Sequence, residues 1–188
     1  MDTYLETERL TLRHVTVEDA DLLIELNSDP EVMCYLPPGE AERPAAEMRE
    51  LVMPAIVAEY RRWQGEFGLF AVHEKDGGAF IGWFSLWPES EGPREDAELG
   101  CRLRKAAWGR DYATEGSLAL LRKGFTELGM RSVWAETLAV NSRSRRVMEK
   151  AGLTLTGEIP VPEDMQVIDG ADQGGVRYGI TREQWQQR

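Results

Sequence analysis

Residues 98–115 read Glu-Leu-Gly-Cys-Arg-Leu-Arg-Lys-Ala-Ala-Trp-Gly-Arg-Asp-Tyr-Ala-Thr-Glu. The stretch opens as a strand, passes a tight turn at Gly109 and enters a long helix at Tyr112. A helix start leaves backbone N–H groups unpaired and carries the positive end of the helix dipole. Facing an open turn, it is an anion site, and phosphate is the usual guest. Gly109 lets backbone approach a ligand closely. Ala113 and Gly116 keep the helix start narrow, and Arg104, Lys105 and Arg110 add positive charge. Gly-x-x-x-x-Gly-Lys-Ser/Thr and Gly-x-Gly-x-x-Gly are both absent, which removes two common phosphate motifs. On local chemistry alone, the segment is either a phosphate site or a plain strand-to-helix turn with surface charges.

Working outward, residues 112–128 are an amphipathic helix with Leu118, Leu121, Phe125 and Leu128 on one face and Gly129 as its stop. Residues 132–138 read as a strand, and 141–151 as a short basic helix ended by Gly152. A strand at 97–104, a helix, then a strand at 132–138 form a crossover, which requires the two strands to be parallel. Upstream, 67–74 and 79–87 are strands joined by the hairpin turn at 75–78, and 88–96 is polar and turn-rich. Residues 44–64 form a helix that starts on Pro44 and should bend or break at Pro54. Residues 28–43, with Asp-Pro and Pro-Pro-Gly, are a long loop. Residues 16–27 are a helix capped by Thr16, with Asp19 standing in for the capping-box acid. Residues 5–15 alternate as a half-buried strand. Downstream, 153–158 and 176–181 are strands flanking an acidic, glycine-rich loop at 159–175. The fold class is α/β: a mixed, mostly antiparallel central sheet of about seven strands, with one parallel pair and about four helices on both faces. One domain spans 1–188.

Composition narrows the function. The 33 acidic against 22 basic residues give a net charge of −11, which disfavours a nucleic-acid partner. Cys34 and Cys101 are isolated, so no disulfide framework or Cys-x-x-Cys exists. His14 and His73 are the only histidines, and no metal-ligand cluster is expected. The N-terminus lacks a basic start and an apolar run, so no signal peptide is expected. The apolar run at 51–58 is broken by Pro54 and falls short of the roughly 20 residues of a membrane span. The expectation is a cytoplasmic protein with no membrane partner.

The stretch at 98–115 resembles motif A of the GNAT superfamily, the acyl-CoA-dependent N-acyltransferases, whose Gln/Arg-x-x-Gly-x-Gly/Ala pattern binds the pyrophosphate of coenzyme A through backbone amides. The RimJ/RimL-like branch, the ribosomal-protein N-terminal acetyltransferases, is the most similar. Its members often read Trp-Gly-x-Gly-Tyr-Ala-Thr-Glu-Ala where this chain has Trp-Gly-Arg-Asp-Tyr-Ala-Thr-Glu-Gly at 108–116. Asn-Ser-Arg-Ser-Arg-Arg-Val-Met-Glu-Lys-Ala-Gly-Leu at 141–153 resembles that branch's Asn-x-x-Ser-x-x-x-x-Glu-Lys-x-Gly-Phe. Residues 7–13 and 178–185 extend the similarity to nearly the whole chain. Asp111 departs from the family glycine. Asp tolerates left-handed backbone but is also a strong N-cap, and a carboxylate on those amides would repel phosphate. The expectation is that Asp111 turns outward, with Arg104 or Arg110 compensating.

The resemblance implies a GNAT fold whose central parallel strands splay to admit the pantetheine arm of acetyl-CoA. Cys101, Arg102 and Leu103 would pair with pantetheine, and an N–H there would polarise the thioester carbonyl. Trp108, Gly109, Arg110, Asp111, Tyr112, Ala113 and Thr114 would hold the pyrophosphate, together with Arg104. The basic helix residues Arg143, Arg145, Arg146 and Lys150 are either a solvated face or, beside a CoA site, contacts for the adenosine phosphates. Asn141 matches the family residue that contacts pantetheine or holds its loop. Ser144 matches the family serine near the sulfur, a candidate acid for the departing thiolate. Glu98 is the first candidate base, acting through water, with a salt bridge to Arg102 as the competing role; Glu136 is the second candidate. Cys101 is a small filler, not a nucleophile.

The acceptor would be a primary amine, either a small cationic molecule or a protein N-terminus. Acidic segments at 28–47 and 158–172 should flank the acyl end and attract it. Tyr35, Trp83 and Trp87 are candidates for an apolar surface there. Exposed strand edges permit a homodimer. The alternatives are a catalytically silent acyl-CoA-binding or sensing domain, and a protein-interaction domain on the same scaffold.

Overall fold

The computed structural model describes residues 3–88 and 95–188. Its frame is an eight-stranded sheet: β1 (Leu5–Glu6), β2 (Leu10–His14), β3 (Gly68–Glu74), β4 (Phe80–Pro88), β5 (Asp96–Leu103), β6 (Ser132–Leu138), β7 (Thr154–Ile159) and β8 (Gly175–Thr181). Their order across the sheet is β1-β2-β3-β4-β5-β6-β8-β7. Among the described residues only β5 and β6 run parallel, and their ladder covers just Asp96–Glu98 against Ser132–Trp134. Beyond Glu98 the two strands part, while β5 stays paired to β4 and β6 to β8. That opening is the main feature of the sheet.

Eight α-helices surround it among the described residues: α1 (Ala20–Asn27), α2 (Pro30–Met33), α3 (Pro38–Ala41), α4 (Ala45–Glu47), α5 (Met53–Arg62), α6 (Tyr112–Thr126), α7 (Ser142–Ala151) and α8 (Arg182–Gln186). The expected strand at 5–15 is two strands, because the chain folds back within Thr7–Leu10. The expected loop at 28–43 contains α2 and α3, each begun by a proline in its first turn, where the missing N–H costs nothing. The expected helix at 44–64 stays helical through Pro54. A wide π-turn at Met48–Val52 precedes it and absorbs the bond proline cannot donate. The turn expected at 88–96 lies largely outside the described residues.

The pleat assigns each strand residue to one of two faces. Ala97, Leu99 and Leu103 of β5 join a core with Leu120, Leu121 and Phe125 of α6 and Met148 of α7. Glu98, Gly100 and Arg102 stand opposite Trp87, Ser85 and Trp83 of β4, on the face covered by α1 and α5. The α6 contact is closer than its large residues alone allow. A Cβ on Gly116 would lie 2.3 Å from the Phe84 ring, so only glycine lets the helix settle there. The buried stripe of α6 runs through Gly116, Ser117, Leu120, Leu121, Gly124 and Phe125, leaving Leu118 39% exposed. Leu121 and Phe125 of the expected stripe are buried and Leu128 packs against the core; Leu118 alone of the four turns outward, because small residues carry the closest contact.

Candidate active site

A cavity of about 820 Å³ runs through the opening between β5 and β6 and reaches both faces of the sheet. Arg104 N–H donates to Ile81 O at 2.8 Å, which fixes the ladder phase. Counting back along an antiparallel ladder, Arg102 and Gly100 spend their backbone groups on β4. Leu99, Cys101 and Leu103 turn theirs to the opening. The Leu103 carbonyl is already taken by the Trp108 indole at 2.8 Å, leaving its N–H. Among the three residues expected to offer backbone here, Arg102 is therefore the exception.

At one end the cavity meets the start of α6. Gly109 and Asp111 both adopt left-handed backbone, with φ of 73° and 61°. No side chain caps the helix, so its first-turn N–H groups stay open. Space is open where a Gly109 Cβ would stand. Asp111 does not reach those amides; its carboxylate accepts from Lys150 of α7 at 2.5 Å. That contact holds its carboxyl below the usual carboxylate range. Arg143, Arg146 and Lys150 recur at helical spacing along α7 and line the same end, and Arg143 lies over the Trp108 ring at 4.8 Å. Asn141 starts α7 by accepting from Ser144 N–H at 3.1 Å, and its amide donates to Thr137 at 3.0 Å. Ser144 then faces the cavity, with no bond to its hydroxyl among the described residues.

The α1/α5 face carries two carboxylates with opposite surroundings. Glu136 is held by the Arg177 guanidinium at 2.5 Å, which also covers Trp134. Glu98 has no cation partner among the described residues. Its side chain is exposed to the cavity, whose walls partly desolvate the carboxylate. That desolvation, reinforced by the Glu136 charge and opposed by Arg177, raises its pKa. Cys101 also opens to the cavity, where burial pushes its thiol up to about 11, so it stays protonated. A separate, shallower groove of about 540 Å³ on the outer hairpins has its charges already spent, Arg13 on Asp19 and Lys75 on Glu6.

A family model described as Acetyltransferase (GNAT) domain matches residues 9–154. The chain belongs to the GNAT acetyltransferase family. It is an N-acetyltransferase whose acyl donor is acetyl-CoA. The acetyltransferase is 33% identical to the FsC-acetyl coenzyme A-N(2)-transacetylase of Aspergillus fumigatus, over 96% of this chain and 77% of that protein. Among solved structures, it is similar to RimL, the ribosomal L7/L12 alpha-N-protein acetyltransferase bound to coenzyme A. The TM-score is 0.79 at 17% identity, covering 96% of this chain and 98% of that one. It is also similar to the spermidine N-acetyltransferase of Vibrio cholerae in complex with CoA and spermine. There the TM-score is 0.77 at 20% identity, covering 96% and 99%. At these identities the structures speak for the fold.

Two expected cofactor contacts lie elsewhere in the acetyltransferase. Arg104 is held in a two-point contact by Glu25, at 2.8 Å for each nitrogen. Arg110 pairs with Glu74 at 2.7 Å and covers the Tyr112 ring. Neither lines the cavity, and neither offsets Asp111; Lys150 does. The Arg102 guanidinium donates to Asn27 at 2.7 Å and Glu40 at 2.8 Å, not to Glu98. Trp83 and Tyr35 line the cavity, whereas Trp87 packs inward beside Tyr60. Among the described residues, Glu31 alone of the expected acidic walls lines the cavity. Glu31 pairs with Lys105, Glu40 with Arg102 and Glu47 with Arg43. None of Glu158, Glu163, Asp164, Asp169 or Asp172 lines the cavity. Among the described residues, no cluster of three or more His, Cys, Asp or Glu fits a metal. No helix among them is long and apolar enough to cross a membrane.

Lys150 is expected from sequence only as a phosphate contact, and neither it nor Arg177 as the partner of a carboxylate. The regular spacing of Arg143, Arg146 and Lys150 was a usable signal for the first. The second depends on the β6–β8 register, which places Glu136 opposite Arg177.

Proposed function

We propose that this enzyme transfers the acetyl group of acetyl-CoA directly to a primary amine, in a site shared by the two faces of the sheet. The observation that carries the reading is the opening between β5 and β6. It joins an uncapped helix start and three α7 cations on one face to an unpaired Glu98 on the other. The open α6 amides, the space beside Gly109 and the diverted Asp111 carboxylate suit a pyrophosphate. The RimJ/RimL-like similarity of 108–116 and 141–153 supports the same use. Residues 1–188 act as one domain in this reading, since β8, beyond the matched segment, supplies Arg177.

Bound acetyl-CoA supplies the thioester whose carbonyl carbon is attacked and whose C–S bond breaks. The α6 amides from Gly109 to Thr114, with Trp108, Arg143, Arg146 and Lys150, hold the phosphates. The Cys101 and Leu103 N–H groups face the arm, and either can donate to the thioester oxygen. Asn141 fixes the start of α7, so Ser144 offers its hydroxyl proton to the leaving sulfur. Glu98 takes the amine proton from the opposite face, directly or through one water, and its raised pKa makes it a better base than an ordinary carboxylate. Glu136 is bound to Arg177 and serves to tune Glu98. Acid and base thus reach the reacting atoms from opposite sides of one opening.

Thiol release from acetyl-CoA against a panel of primary amines tests the assignment. Amine-dependent release that collapses in Glu98→Gln, with acetyl-CoA affinity preserved, is the expected result. Full turnover in that variant would remove Glu98 from the mechanism.

A further inference from the structure

The acceptor end is apolar where the surrounding sequence is acidic. Segment 28–47 contributes Val32, Tyr35, Leu36 and Pro37 to the cavity, and the loop after β7 contributes Pro160 and Val161. These walls lie over the α1/α5 face. Arg102 ties α1 and α3 to that face through Asn27 and Glu40. Ile159 lies across Gly175 there, where a Cβ would meet it at 2.7 Å. Trp83 forms part of the floor, with the Arg102 guanidinium 5.1 Å from its ring. The acidic residues that lend the two segments their charge are paired or point elsewhere. Of the three carboxylates that line this side, Glu31 is bound to Lys105 and Glu136 to Arg177. Only Glu98 remains to receive a cation.

From this we infer the class of acceptor: a small primary amine with a single positive charge on an apolar, ring-sized body, not a polyamine or an aminoglycoside. The inference rests on the amine-acetylation reading above. One ammonium finds Glu98. A second ammonium on the same molecule would be carried against Val32, Leu36, Pro160 or Val161, where an unpaired charge loses its water and gains no partner. A flat or branched apolar body instead displaces water from Trp83, Tyr35 and the prolines, and aromatic faces favour it. Electrostatic attraction of polycations by the net charge of the chain stays outside the pocket, because the lining carboxylates other than Glu98 already have cations.

The test compares 2-phenylethylamine, spermidine and kanamycin as acceptors in the thiol-release assay with the wild-type enzyme. The expected kcat/KM for 2-phenylethylamine exceeds that for spermidine by about tenfold or more, equivalent to about 1.4 kcal/mol. Equal or faster turnover of spermidine or kanamycin overturns the inference. Leu36→Asp and Val161→Asp, made separately, place a carboxylate on one wall or the other. Each should move the ratio towards spermidine by about tenfold; an unchanged ratio in both, with both folded, also overturns it. If no amine is turned over, the transfer reading fails, and calorimetry on the CoA-loaded protein decides the pocket independently. Tighter binding of 2-phenylethylamine than of spermidine then supports the apolar pocket, and no preference overturns it.

Discussion

The two faces of the sheet solve recognition by different means. The α6/α7 face presents backbone: open amides at a helix start, two left-handed residues before it, and three cations along one side of α7. The α1/α5 face presents side chains drawn from β4, β5, β6, β8 and two loops, with nearly every charge cancelled within the chain. Phosphate is the same in every coenzyme A molecule, so a short contiguous segment can hold it. An acceptor varies, and its pocket is assembled from residues more than a hundred positions apart.

Removing the uncancelled carboxylate of the α1/α5 face should have the largest effect. Glu98→Gln should lower kcat by about 100-fold or more while leaving the acetyl-CoA dissociation constant within twofold of wild type, as expected for loss of a general base. A loss of affinity to match would show that the two faces are not separable. Next comes the support of the α6 side. Gly116→Val drives a side chain into Phe84 and should destabilise the fold by about 3 kcal/mol, read from denaturant midpoints. An unchanged midpoint would mean that α6 can shift without loss.

Lys150→Ala leaves Asp111 uncompensated beside the phosphate site. It should weaken acetyl-CoA binding by about tenfold and raise its KM with little change in kcat. The pH profile sharpens the comparison on the other face. Glu98 must be deprotonated to act, so activity rises with pH through its raised pKa. Arg177→Gln removes the charge that lowers that pKa and frees Glu136 to raise it, so the acid limb moves to higher pH. Glu136→Gln has the opposite sign and moves the limb to lower pH. A shared direction for the two variants would show that Glu98 is not the titrating base. The smallest effect belongs to Asp111→Gly. Because the carboxylate is already turned to Lys150, the acetyl-CoA dissociation constant should change by less than about tenfold; a larger gain would show that Asp111 competes for the amides.

The contrast between the faces also decides what a sequence can reveal. Residues 132–138, the hairpin at 75–78 and the start of α6 at Tyr112 are legible because hydrophobic pattern and turn chemistry are local. Asn141 and Ser144 were legible because one caps the helix that carries the other. Ion pairing was not. Arg102 to Glu40, Arg104 to Glu25 and Lys105 to Glu31 each bridge 60 to 80 positions, so the pairing that occupies Glu31 and Glu40 of segment 28–47 leaves no local trace. The stripe of α6 is legible in Leu121, Phe125 and Leu128 but not in its small residues. Hydrophobic periodicity weighs large residues, and Gly116 and Gly124 pack by being small.

The alternation of β5 has an evolutionary corollary. In the proposed reading its odd positions face the donor site and its even positions the acceptor site, so a point substitution at Arg102 would act on the amine side while the backbone facing acetyl-CoA is inherited. Insertions and deletions have no such freedom. One residue gained or lost within β5 would exchange the two walls and ruin both sites together. A lineage built on this strand can therefore diversify its acceptors rapidly by substitution, at a fixed strand length.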